Sequence, residues 1–158
     1  MKRIERQKYL DELISLKENG MIKVITGMRR CGKSYLLFEI FSSYLESNGV
    51  ESNHIIKIDL EDYKNKSLRN PDNIYEYVES RIVDNDTYYI LLDEVQMLDD
   101  FVDVLNGFLK KQNVKILIIG LKIFCIMIIH ICCNHVYSLR CFFQHRFRNT
   151  FLFKVFSR

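Results

Sequence analysis

Apolar residues first recur at helical spacing. Ile4, Tyr9, Leu10, Leu13 and Ile14 predict a helix over residues 3–18 that stops at Gly20. Residues 21–26 form a short β-rich run ahead of Gly27. From Lys33 to Glu46 the apolar positions lie almost all round the helix (Leu36, Leu37, Phe38, Ile40, Phe41, Tyr44, Leu45), which predicts a well-buried helix ending near Asn48-Gly49. Residues 54–60 read as a second strand. Asn70-Pro71-Asp72 opens a helix with proline in its first turn, running to about Val83 with Ile74, Tyr77, Val78 and Ile82 inward. Residues 88–92 are a continuous apolar strand with acidic residues on both sides. Residues 99–112 predict a helix with Phe101, Val104, Leu105, Phe108 and Leu109 on one face. A fourth strand, residues 114–119, ends at Gly120.

Strands with no polar face, separated by helices, imply a parallel sheet covered on both sides and joined by right-handed crossovers. The fold class is therefore α/β, and 158 residues suffice for one domain with one core.

The turn between the first strand and the second helix carries the chemistry. Gly27-Met28-Arg29-Arg30-Cys31-Gly32-Lys33-Ser34 matches the phosphate-binding loop G-x-x-x-x-G-K-[ST] at every fixed position. The glycines let the backbone curl with its N–H groups inward. Lys33 reaches the β- and γ-phosphates, and the Ser34 hydroxyl is a Mg²⁺ ligand. The helix that follows sets its positive end under the phosphates. Gly27 through Ser34, with Tyr35 behind them, are the candidate nucleotide contacts. The second half of the site is the acidic pair that ends the third strand. Asp93 is the expected second Mg²⁺ ligand, through water, and Glu94 the general base that activates the attacking water. GTPases read guanine with Asn-Lys-x-Asp. The nearest segment here, Asn65-Lys66-Ser67-Leu68, lacks the aspartate, so ATP is the expected nucleotide.

The residues 26–34, together with Leu92-Asp93-Glu94-Val95-Gln96 and the Tyr9-Leu10 pair of the opening helix, resemble a large group of bacterial and archaeal ATPases of the AAA superfamily. The resemblance covers residues 1–120. It implies a P-loop NTPase three-layer sandwich with strand order 22–26, 114–119, 88–92, 55–60. It also implies a fifth strand beside the first, then helical or winged-helix segments and a C-terminal domain of unknown function. Those later parts find no match here, so the fold is expected to be incomplete, with residues 22–26 left as an apolar sheet edge. Such domains commonly assemble as rings, so a homo-oligomer through AAA-type contacts is implied. No residue here can be assigned as the arginine that a neighbour supplies. For Arg29 and Arg30 two readings stand, contact with phosphate or a partner subunit, and bracing of the loop's outer side. Cys31 reads as a small filler of the turn. Gln96 either senses the γ-phosphate or caps the next segment.

After Gly120 the family continues with a polar pair that senses the γ-phosphate, whereas this chain has Leu121 and Lys122. Composition changes at the same point. Residues 121–158 contain no Asp, Glu or Gly, but six Lys/Arg and four of the five cysteines. Residues 1–120 hold the other 17 basic residues and all 20 acidic ones, a net charge of −3. The chain is thus read as a partial ATPase domain, 1–120, followed by an aberrant apolar, basic tail, 121–158. The leading reading of that tail is translation from a shifted frame, since out-of-frame AT-rich DNA yields Ile, Phe, Leu, Lys and Asn with few carboxylates or glycines. Two others compete. One is a membrane anchor over residues 116–133, interrupted by Lys122 and His130. The other is a metal site at His130, Cys132, Cys133 and His135, whose spacing matches no common zinc motif.

The expected function is Mg²⁺-dependent ATP binding, with hydrolysis in a full-length parent and weak or no turnover by this chain. The alternatives are a non-functional truncated product and a membrane-attached nucleotide switch. Nucleic-acid binding finds no support, because the net basic charge belongs to the tail alone. The charged N-terminal residues lead into no apolar h-region, and the odd cysteine count follows no disulfide spacing. Both point to the cytoplasm.

Overall fold

The computed structural model describes residues 7–17, 20–27 and 29–120, together with the backbone of residues 151–156. Helix α1 (Gln7–Leu16) leads into β1 (Ile22–Gly27). A long helical run follows: α2 (Lys33–Tyr35), a π-helical segment (Leu36–Phe41) and α3 (Ser42–Ser47). Then come β2 (Ile55–Asp59), α4 (Pro71–Glu79), β3 (Tyr88–Asp93), α5 (Phe101–Leu109), β4 (Val114–Ile119) and β5 (Phe151–Phe156).

The strands form a parallel sheet in the order β2-β3-β4-β1-β5. The first four positions are those expected from the sequence. The fifth is a correction. The place beside β1, expected to be empty, is taken by the backbone of the tail segment Phe151–Phe156, in register from Ile22 opposite Phe151 to Gly27 opposite Phe156. β1 is therefore not a sheet edge.

Strands β1 to β4 alternate their side chains between two cores, as a pleated strand must. In β3, Tyr88, Ile90 and Leu92 pack with Ile74, Val78, Leu105 and Phe108 of α4 and α5. Tyr89 and Leu91 pack with Leu10, Leu13, Leu37, Phe41 and Leu45 on the other face. All six residues of β3 are buried, and this two-sided burial explains its unbroken apolar run. Each such large side chain taken from water contributes about 1.5–3 kcal/mol. Lys23 is buried within β1, and its Nζ donates to the Lys17 carbonyl at the end of α1 (3.2 Å). The stem thus packs in the core while the ammonium serves a helix terminus.

Helix boundaries differ from the sequence reading for local reasons. Asn70 caps α4 as its position suggests, with Oδ1 accepting from the Asp72 and Asn73 amides (3.0 and 3.2 Å). α4 ends at Glu79 rather than Val83. Its last turn tightens, with Arg81 N–H donating to Val78 and Ile82 N–H to Glu79, each three residues back. α5 starts at Phe101 because Asp100 is left-handed (φ 44°). The π-helical segment was not legible in the sequence. There the Phe38 carbonyl accepts from both Ser42 Oγ and Lys57 Nζ, the kind of competing donors that open a helical turn. Short 3₁₀ turns occupy Ser52–His54, Tyr63–Arg69 and Val95–Met97, so β2 begins at Ile55 and ends at Asp59 rather than spanning residues 54–60.

Among the described residues no helix is long and apolar enough to cross a membrane. The proposed apolar span begins inside β4, where Ile116 to Ile119 are buried in the sheet. Its remainder, and the residues His130, Cys132, Cys133 and His135, lie outside the described residues.

Candidate nucleotide-binding site

All strands of the sheet run the same way, so the carboxyl ends of β1, β2 and β3 lie at one edge. This carboxyl edge is where open α/β sheets bind ligands. β1 ends at Gly27, β2 at Asp59 and β3 at Asp93, with Asp59 and Asp93 register partners.

The loop after β1 is curled. Arg30 and Gly32 are both left-handed (φ 60° and 81°), so the chain doubles back before α2. Lys33 is buried, and its Nζ crosses the loop to the Gly27 carbonyl (3.3 Å), 4.0 Å from Cys31 Sγ. A lysine so placed holds its charge at the centre of the loop, where a phosphate group would meet it. Cys31 is half-buried against the core beneath, in keeping with a filler of the turn.

Ser34, at the start of the helical run, lies close enough to Asp93 for its hydroxyl to favour the ionised carboxylate. Asp93 is buried, and desolvation holds its carboxyl above the usual carboxylate range. The Ser34 hydroxyl and the Glu94 amide (2.9 Å) counter that effect, while the nearby Glu94 and Asp59 charges add to it. A buried carboxylate with acidic neighbours and a hydroxyl beside it is short of positive charge. Such an all-oxygen donor set suits a hard divalent cation.

Glu94 follows in a left-handed conformation (φ 51°), and this turns its side chain away from the line of β3. Gln96 Nε2 donates to the Glu94 carboxylate, so Gln96 holds Glu94. Arg29 points outward and pairs with Glu61 (3.4 Å), both largely exposed. That contact is a brace between the loop and the segment after β2. Arg30 is exposed, and Tyr35 is 51 % exposed on the outer side of the helix. Met28 lies outside the described residues.

Asp59 belongs to this edge and was missed in the sequence. Its Oδ1 accepts from the Glu61 amide (2.8 Å), and its carbonyl accepts from Asn65 Nδ2. The signal was the one that marked Asp93, a carboxylate closing an apolar strand. It was obscured by the acidic run Asp59 to Asp62.

Comparison with known proteins agrees with this geometry. An AAA domain family model matches residues 19–124. An uncharacterized protein of Haemophilus influenzae is 30% identical over 118 residues, which are 74% of this chain but 29% of that protein. The chain thus spans under a third of that relative. Among solved structures, Saccharomyces cerevisiae RIF2 superposes with a TM-score of 0.58 at 12% identity, over 98% of this chain and 56% of RIF2. The Drosophila ORC structure bound to AT-rich DNA and Cdc6 gives 0.54 at 11%, over 94% and 53%. Caenorhabditis elegans PCH-2 gives 0.51 at 16%, over 96% and 40%. At these identities the likeness is one of fold. With the family match covering both the loop and the acidic pair, the chain belongs to the AAA domain family, as an AAA-type P-loop ATPase domain.

Proposed function

We propose that this domain binds ATP together with Mg²⁺ at the carboxyl edge of its sheet, and that its site is built for ATP hydrolysis. The observation that carries this reading is the curled loop spanned by a buried Lys33, together with the buried Asp93 that closes β3. Ser34 and Asp93 would hold the cation, which would offset phosphate charge and orient the terminal phosphate. The loop amides and Lys33 bind the phosphates. Glu94, held by Gln96, would take a proton from an attacking water. Gly27, Met28, Arg29, Arg30, Cys31, Gly32 and Tyr35 complete the proposed contact set.

Assembly through AAA-type contacts belongs to the same reading, as a property common among domains of this type. Turnover by this chain is expected to be slow, with hydrolysis a property of a longer parent.

Thermal unfolding with and without ATP and Mg²⁺ tests the proposal. ATP at about a hundred times its Kd stabilises the folded state by about 2.7 kcal/mol. A melting temperature that rises with ATP and Mg²⁺ in wild type, and stays flat in Lys33→Ala, is expected. An equal rise in both proteins, or none in wild type, would overturn it.

A further inference from the structure

The amino end of the sheet carries a second convergence of ligand-type side chains. His54 closes the 3₁₀ turn before β2, and Asp84 and Asp86 lie on the loop that leads into β3. One ligand atom from each lies within 4.8 Å of the other two. β3 separates this cluster from Asp93 by about 20 Å, at roughly 3.3 Å per residue. The phosphate-binding loop therefore plays no part in it.

Two features set the cluster apart from an ordinary acidic surface patch. The first is that one member is a buried imidazole. His54 is only 6% exposed, its ring tilts against Tyr88 with centroids 4.5 Å apart, and Nε2 faces the carboxylates. The second is spacing. His54 Nε2 and Asp84 Oδ2 are hydrogen-bonded at 3.2 Å, a bond that a cation bound between them would replace. That separation matches the edge between neighbouring ligands of a cation with bonds of about 2.0–2.2 Å.

The loop is also fixed by further hydrogen bonds. Asn113 Nδ2 donates to the Asp84 and Asp86 carbonyls (3.3 and 3.1 Å), and the Val83 amide donates to Tyr88 Oη (3.2 Å). The Asp86 amide bonds Asp84 Oδ1, which holds the Asp84 carboxyl below its usual range and so ionised at neutral pH.

We propose that His54 Nε2 and the carboxylates of Asp84 and Asp86 form a binding site for a divalent first-row transition cation. One imidazole with two carboxylates suits Zn²⁺, Co²⁺ or Mn²⁺, whereas Mg²⁺ prefers oxygen alone. Water completes the coordination. The bound cation joins the turn before β2 to the loop before β3, and stabilises the fold by an amount that rises with the logarithm of free cation above its Kd.

Co²⁺ is the probe, added to the full chain with Mg²⁺ in excess to satisfy the carboxyl-edge site. The expected result is a bound equivalent with the ligand-field absorption of nitrogen and oxygen donors and no thiolate charge-transfer band. Asp86→Asn and His54→Ala should each weaken it at least about tenfold, and Asp93→Asn should leave it unchanged. Asp86 is exposed, so its variant tests the site even if His54→Ala fails to fold. Co²⁺ affinity untouched by Asp86→Asn would overturn the proposal. So would a spectrum dominated by thiolate, or no binding at millimolar Co²⁺.

Discussion

Asp93 is a carboxylate that the sheet buries at the end of β3, with Glu94 and Asp59 as acidic neighbours. Its folded-state pKa is raised, so the folded chain takes up its proton more readily than the unfolded chain. Stability from this group is therefore full at low pH and falls as pH rises through the raised pKa. At neutral pH the ionised group costs stability, which a bound cation would restore. Asp93→Asn is expected to raise the melting temperature of the nucleotide-free protein at pH 7, with the gain vanishing towards pH 3. The same variant should lose the response to Mg²⁺ and ATP. Melting curves from pH 3 to 8 check this, and a variant less stable than wild type at pH 7 would contradict it. Arg29 illustrates a smaller effect. Its exposed pair with Glu61 is of a kind worth about 0–1 kcal/mol, so Arg29→Ala should leave the melting temperature within a degree or two.

At the scale of the element, α4 and β3 offer clean tests. Asn70 satisfies two amides at the start of α4, and Asn70→Ala should cost about 1 kcal/mol in urea unfolding. Leu91 is fully buried between β3 and the helical run after the loop, and Leu91→Ala should cost about 2–5 kcal/mol.

Sequence and structure agree where periodicity is strong. The apolar runs of β3 and β4 named their own strands, and the Asn70-Pro71 signal named the start of α4. Gly27, Lys33, Ser34 and Asp93 could be named as candidates from the sequence because a phosphate-binding loop fixes residue type and spacing together. The π-helical segment was hidden because it depends on Lys57, nineteen residues on, reaching the Phe38 carbonyl. The left-handed Asp100 was hidden because aspartate gives no unique sign of that conformation. Asp59 became visible as a site neighbour only when β2 and β3 were paired in register. Gln96 donates to the Glu94 carboxylate, a contact that is neither of the two roles read for it from the sequence.

For the whole molecule, the tail is the part that changes most between sequence and structure. Its composition argues for a shifted reading frame after residue 120, yet residues 151–156 extend the sheet beside β1. Translating the coding DNA around codons 115–130 in all frames addresses the first point. The frame-shift reading predicts that another frame continues Gly120 with a polar pair and a normal mixture of charges. A chain ending at Gly120 addresses the second. It leaves β1 as an apolar edge and should aggregate more than the full chain in size-exclusion chromatography. Equal behaviour would show that β5 contributes nothing to solubility. The two cation sites proposed for the opposite edges of the sheet are independent, because about 20 Å of buried strand lies between them.

Calorimetric titration of ATP into the purified chain, first with Mg²⁺ and then with a chelator, tests the central claim most directly. One ATP per chain is predicted, with affinity reduced at least about tenfold by the chelator and by Lys33→Ala, a loss of about 1.4 kcal/mol or more. Binding indifferent to both, or no binding at millimolar ATP, would contradict the account.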